Sequence, residues 1–213
     1  MAAVIEGLRS NELVHEIVVV DGGSSDATAE RARAAGARVV VDPRRGYGRA
    51  CLTGAHAADS AQVLLFVDAD GSVDTTQVAR LLEPLSQCRA DLVIGSRIRG
   101  RRARGAMPRH QHLGNVLVAA ILRRRHHVAV TDVGPFRAGR AGVLAQLDMR
   151  EMTYGWPTEM IVRAAARGCR IVEVPVDQHA RTGGRSKVSG DPRASLRAGI
   201  QMLRVAWFGG GPG

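Results

Sequence analysis

Short β-branched apolar runs alternate with stretches of helical periodicity through the first half of the chain. Residues 16–20 (EIVVV), 38–41 (RVVV), 63–67 (VLLFV) and 91–95 (DLVIG) read as buried strands. Residues 26–35, 46–58 and 75–85 between them read as helices, the last with Asp74 or Thr75 as its N-cap. This alternation predicts an α/β fold with a largely parallel sheet. Ligands of such sheets collect beyond the carboxyl ends of the strands. Two acidic, glycine-bearing turns fall at such ends: DGGSSD at 21–26 and DADG at 68–71.

The pattern changes at residue 96. SRIRGRRARGAMPR has no periodicity and reads as a loop, followed by a helix over 112–122. TDVGPFRA comes next, then helices near 140–147 and 157–167 and a strand over 170–176. RTGGRSKVSG at 181–190 is a second basic, glycine-rich loop. The tail over 193–208 reads as an amphipathic helix with Leu196, Ile200, Leu203 and Trp207 on one stripe. That stripe is expected to pack on the domain, with binding to a membrane interface as the alternative. No repeat or long linker divides the chain, so residues 1–213 are expected to form one catalytic domain, with 193–213 as its helical tail.

Composition sharpens the picture in three ways. Aromatics make up 3% of the 213 residues, so the core must be built from Val, Leu, Ile and Ala. The formal net charge is +10, and Lys187 is the only lysine, so the excess is carried by arginine. That balance points to an anionic partner: phosphorylated small molecules, an acidic membrane surface or nucleic acid. The three cysteines, Cys51, Cys88 and Cys169, have no metal-ligand spacing and read as free thiols of a reducing compartment. No signal peptide or membrane-spanning run is visible, which predicts a cytoplasmic location.

The candidate chemistry sits at the strand ends. Asp68 and Asp70 are two residues apart, so on an extended backbone their carboxylates point the same way and repel. A divalent cation, Mg²⁺ or Mn²⁺, relieves that repulsion and takes phosphate oxygens and water as its other ligands. The bland alternative is a solvated turn, which the position at a strand end disfavours. Asp21 ends an apolar strand and needs donors, which a nucleotide base or ribose supplies; Gly22 and Gly23 allow close approach. The basic loops carry Arg97 to Arg109 and Arg181 to Lys187, with guanidinium forks suited to phosphate. Asp132 and Glu159 are further acids, Glu159 at a helix start where it also complements the helix dipole.

Taken in order, VVVDGGSSDAT, FVDADG, IGSR, TDVGPFRA, YGWPTEM and EVPV followed by RTGGRSKVSG resemble a family 2 glycosyltransferase of GT-A fold. Within it, the polyprenyl-phosphate (dolichol-phosphate) mannosyl- and glucosyl-synthase type is most similar. The resemblance implies a metal-dependent, inverting transfer of a hexose from a nucleotide-diphosphate sugar, GDP-mannose or UDP-glucose, to a polyprenyl-phosphate acceptor. It implies that Asp21 contacts the nucleotide base, that Asp68 and Asp70 hold the metal, and that Arg97 lies by the donor diphosphate. Asp132 would line the sugar pocket, Glu159 would sit at the acceptor side near Trp156, and Arg181, Arg185 and Lys187 would grip phosphates. Such enzymes meet a lipid acceptor at the membrane, implying a peripheral position on its inner face.

One departure concerns the N-terminus. Residues 1–10 resemble the helix that follows the family's first strand, so that strand and its nucleotide-binding loop are missing from the expected sheet. A start codon placed too far downstream accounts for this; a real truncation, with a homodimer covering the exposed strand edge, is the alternative. Rival functions are a soluble phosphorylated or hydroxyl acceptor, a catalytically inactive nucleotide-sugar-binding homologue, and a nucleotidyltransferase. Nucleic acid is disfavoured as a partner, because aromatics for base stacking are rare.

Overall fold

The computed structural model describes residues 1–58, 60–103, 105–180 and 192–209, the side chains of 192–194 excepted. In chain order its elements are α1 (Ala2–Arg9), β1 (Val18–Asp21), α2 (Thr28–Ala34), β2 (Arg38–Val41), α3 (Tyr47–Ala57) and β3 (Val63–Phe66). A 3₁₀ turn (Thr75–Gln77) then leads into α4 (Val78–Ser86), followed by β4 (Leu92–Ser96) and α5 (Arg109–His126). The remainder is β5 (Arg137–Arg140), α6 (Ala141–Gln146), α7 (Trp156–Ala166), β6 (Ile171–Pro175) and α8 (Pro192–Phe208). The Asp74 side chain caps the 3₁₀ turn, accepting from Thr76 N at 3.1 Å.

The α/β class is as expected, but the sheet is mixed rather than largely parallel. β1 and β2 pair in parallel, as do β4 and β6, while β5 runs antiparallel to both β3 and β4. β5 escapes a reading by propensity because its RAGR sequence contains no β-branched residue. It becomes a strand because it is inserted between β3 and β4, where its backbone groups must be paired.

The strands fall into two groups, β1-β2 and β3-β5-β4-β6. Among the described residues β1 pairs only with β2 and β3 only with β5. Burial follows the two-residue period of a strand. In β4, Leu92 and Ile94 face a core shared with Val118 and Leu122 of α5 and Met160 and Ile161 of α7. Val93 faces the opposite core, with Val78, Leu81 and Leu85 of α4 and Val4 and Leu8 of α1. β4 is buried along its whole length, which explains its continuous apolar sequence.

The C-terminal helix reverses an expectation. Leu196, Ile200 and Trp207 are 65%, 55% and 50% exposed, and only Leu203 of the apolar stripe joins the core. Among the described side chains of α8, Ala198 and Ala206 are the buried ones. Small residues let the helix come close: Val205 packs directly against Gly155, at the start of α7, where an added Cβ would meet it at 2.8 Å. Among the described residues no helix is long and apolar enough to cross a membrane.

Candidate active site

The carboxyl ends of β3 and β4 and the start of β5 bring four of the expected residues into one cluster. Asp68 and Asp70 follow β3, Arg97 follows β4, and Asp132 lies in the turn leading to β5. Asp132 is fully buried, and the Arg97 guanidinium grips it with two parallel bonds, Nε to Oδ2 and Nη2 to Oδ1, both 2.8 Å. Arg97 also donates its backbone N–H to Asp132 Oδ2 at 2.8 Å. Burial alone would raise the Asp132 pKa, but the Arg97 charge and hydrogen bonds outweigh it and the net shift is downward. Burial likewise opposes the Arg97 charge, yet Asp132 leaves its pKa raised. Glu173 of β6 fixes the same turn, accepting from the backbone N–H groups of Thr131 at 2.7 Å and Asp132 at 3.0 Å. Asp132 is therefore an anchor for Arg97, with both oxygens engaged.

Asp68 has the opposite character. Burial raises its carboxyl pKa, and the neighbouring Asp70 charge raises it further. A hydrogen bond from Tyr47 and the charges of Arg97 and Arg137 offset only part of this. Asp70 Oδ1 accepts from Ser72 N at 2.8 Å, an Asx turn that sets the carboxylate at the tip of the strand. The pair thus combines two like charges with low solvation, which suits a hard divalent cation. Among the described residues no group of three or more His, Cys, Asp and Glu forms a metal cage. Two carboxylates fit an ion whose other ligands are phosphate oxygens and water.

The structure adds two residues that the reading of the sequence did not single out. Tyr47 opens α3, reaches Asp68 and stacks on Tyr154 with ring centroids 6.3 Å apart. Its approach depends on Gly48, where an added Cβ would meet Glu151 O at 2.3 Å and Trp156 at 2.8 Å. Arg137, inside TDVGPFRA, is fully buried and donates to Pro157 O at 3.0 Å and to Gly134 O. It forms no ion pair among the described residues, its Nε has no hydrogen-bond partner, and burial lowers its pKa. Trp156 Nε1 and Thr158 Oγ1, nearby at the start of α7, also lack partners. The Arg137 signal was present as an arginine inside a motif, but its burial could not be read from the pattern.

The remaining expected residues divide. Asp21 ends β1 and turns back on its own loop, accepting from Ser24 Oγ at 2.5 Å and Ser24 N at 3.1 Å. That hydrogen bonding lowers its pKa. Beside it, Asp42 after β2 binds Arg44 Nε and Thr53 Oγ1, both at 2.7 Å. Glu159 is buried in the first turn of α7 and accepts from Glu151 N and Arg163 Nε, each at 2.7 Å, and from Arg150 N. It tethers the 150–151 loop to α7. Trp156 is the packing anchor beside it, edge-on to Phe66 of β3 at 5.0 Å. Arg181, Arg185 and Lys187 lie outside the described residues.

Comparison with known proteins fits this architecture. The chain belongs to glycosyl transferase family 2, whose family model matches residues 1–148. An uncharacterised glycosyltransferase of Mycobacterium tuberculosis is 40% identical over 206 residues, spanning 96% of this chain and 89% of the relative. An undecaprenyl-phosphate mannosyltransferase of Micrococcus luteus is 34% identical over 193 residues, spanning 82% and 76%. Among solved structures, glucosyl-3-phosphoglycerate synthase of M. tuberculosis, in complex with Mn²⁺, UDP and glucosyl-3-phosphoglycerate, superposes with a TM-score of 0.75. The match covers 98% of this chain and 74% of that one at 22% identity, and it establishes the GT-A fold.

Proposed function

We propose that this glycosyltransferase moves a hexose from a nucleoside-diphosphate sugar to a polyprenyl phosphate with inversion at the anomeric carbon. The observation that carries the reading is the Asp68–Asp70 pair, burdened by its own charge and faced by Arg97 and Arg137. The family membership and the lipid-phosphate acceptor in the Micrococcus relative's name support the choice of substrates.

Asp68 and Asp70 are the residues that would hold Mg²⁺ or Mn²⁺. When bound, the ion supplies Lewis-acid neutralisation of the leaving diphosphate. Arg97 presents its guanidinium toward the same charge, held in one orientation by Asp132, so little reorganisation is needed as charge builds. Arg137 adds a buried positive charge to the field. Tyr47 orients Asp68 through its hydroxyl. The acceptor phosphate oxygen forms the new bond to C1 as the C1–O bond to the diphosphate breaks, and the electron pair leaves with the nucleoside diphosphate. A phosphate acceptor is already ionised at neutral pH and needs no general base. The engagement of Asp132 and Glu159 by arginines and backbone N–H groups accords with that.

Transfer of radiolabelled sugar from GDP-mannose and UDP-glucose, with Mg²⁺ or Mn²⁺ and polyprenyl phosphate, tests the reading. Label partitioning into the organic phase supports it. Label found only in water-soluble product, with a phosphorylated small acceptor required, would replace the lipid with that acceptor.

A further inference from the structure

Beyond β6, residues 176–179 pass between two loops of the candidate site. The backbone of Gln178 bridges Val73 on one side and Arg102 on the other. On the first side, His179 N donates to Ser72 O at 2.9 Å and Asp74 N to Asp177 O at 3.2 Å. Ser72 N is in turn the donor to Asp70 Oδ1. On the second side, Gln178 N donates to Arg101 O at 2.8 Å, and its carbonyl accepts from Ala103 N at 2.9 Å. The side chains repeat this division. Asp177 Oδ2 accepts from Gln77 Nε2 at 3.0 Å, just past the acidic turn, while Oδ1 accepts from Arg101 N at 2.8 Å. Gln178 is buried, and its Nε2 donates to Ala106 O at 3.2 Å. Its Oε1 has no partner among the described residues. Gly100 lies so close to the Val176 backbone that no side chain fits there.

We propose that Asp177 and Gln178 are positioning residues that couple the Asp70 turn to the arginine-bearing loop after Arg97, so that filling the metal–diphosphate site holds this loop in place. The loop carries Arg99, Arg101 and Arg102, whose side chains are exposed. The four bonds named above that hold Arg101, Ala103 and Ala106 all end on Asp177 and Gln178. Each such bond is modest alone, and together they decide how often the loop opens. The same two residues carry the link to Asp74 and Gln77, and His179 beside them binds Ser72. A segment bonded to both loops through shared peptide groups transmits a bias from one to the other. Leucine at position 178 would cut the tether to Ala106 and would leave no unpaired amide in a buried place, so Gln178→Leu removes the coupling at little cost in stability. The inference rests on reading Asp68 and Asp70 as the metal–diphosphate site, and the part of its test done without ligand does not.

Native full-length protein is treated with trypsin, and mass spectrometry counts the cuts after Arg99, Arg101 and Arg102. Without ligand, Gln178→Leu and Asp177→Ala should each raise cutting at these bonds about five- to tenfold, because proteolysis follows the population of the opened loop. Asp177→Asn keeps an oxygen for Arg101 N and should return cutting to the wild-type rate. Mn²⁺ with UDP or GDP should slow the cutting of wild type at least about fivefold and leave Gln178→Leu and Asp177→Ala almost unprotected. A bond that only stabilised the fold would change the melting temperature and leave the protection by nucleotide intact. Calorimetry on the same samples reports nucleotide and Mn²⁺ binding. If wild type binds neither, the metal–diphosphate reading fails and the cuts made without ligand still judge the tether. Equal cutting of wild type and both loss-of-bond variants, Asp177→Asn cut as fast as Asp177→Ala, or bound nucleotide that protects wild type and Gln178→Leu equally or not at all would overturn the proposal.

Discussion

The two acidic strand ends look alike in sequence and behave as opposites in the fold. Asp21 and Asp68 each close an apolar run and precede glycine-bearing turns. Asp21 is satisfied by its own loop, through Ser24, and its carboxyl is held below the usual range. Asp68 lies beside a second carboxylate, and desolvation together with the Asp70 charge raises its pKa. The first end closes on its own turn, while the second sets two carboxylates side by side with Arg97 and Arg137 near Asp68. Position after a strand therefore identifies candidate sites, and a like charge close by separates them.

The largest effect is expected where the contrast depends on a third acid. Asp132→Ala removes the partner of a buried arginine, and stability should fall by about 3–5 kcal/mol in urea denaturation. Loss of less than about 1 kcal/mol would show that Arg97 has another counter-charge. Next comes the pair itself. Asp68→Asn should lower transfer roughly 10²–10³-fold, yet raise the melting temperature of the metal-free protein, because a like-charge repulsion is removed. A lowered melting temperature would place Asp68 with Asp21 as a structural turn residue. Glu159→Gln should cost about 1–3 kcal/mol of stability through the loop it tethers, while leaving measurable turnover with a phosphate acceptor; complete loss of turnover in a folded variant would argue for a hydroxyl acceptor.

The smallest effect belongs to Asp21. Its folded pKa is depressed, so its contribution is present above the ordinary value of 3.8 and is lost as pH falls through the lower folded value. Asp21→Asn should flatten the acid limb of the stability profile below about pH 4 and cost no more than about 1 kcal/mol at pH 7. A large loss of nucleotide affinity in this variant would move Asp21 from the turn to the binding site.

Much of this was legible in the sequence, for physical reasons that also mark its limits. Buried strands announce themselves when they are apolar on both faces, as 91–95 does, and β4 was found within a residue. β5 was invisible because RAGR owes its conformation to its neighbours. The cluster of Asp68, Asp70, Arg97 and Asp132 followed from their places at strand ends, which topology converges. Arg137 and Tyr47 were missed because burial and partnership are tertiary facts. The stripe of α8 was read correctly as a pattern and wrongly as a core contact: the period gives the apolar face, not the side on which Ala198 and Ala206 allow close packing.

The most direct test is a crystal soaked with Mn²⁺ and UDP or GDP, with data collected for manganese anomalous scattering. An anomalous peak within about 2.5 Å of Asp70, close to Asp68 and bonded to diphosphate oxygens, is the expected result. Bound nucleotide with no peak near either carboxylate would contradict the assignment of the ion to this pair.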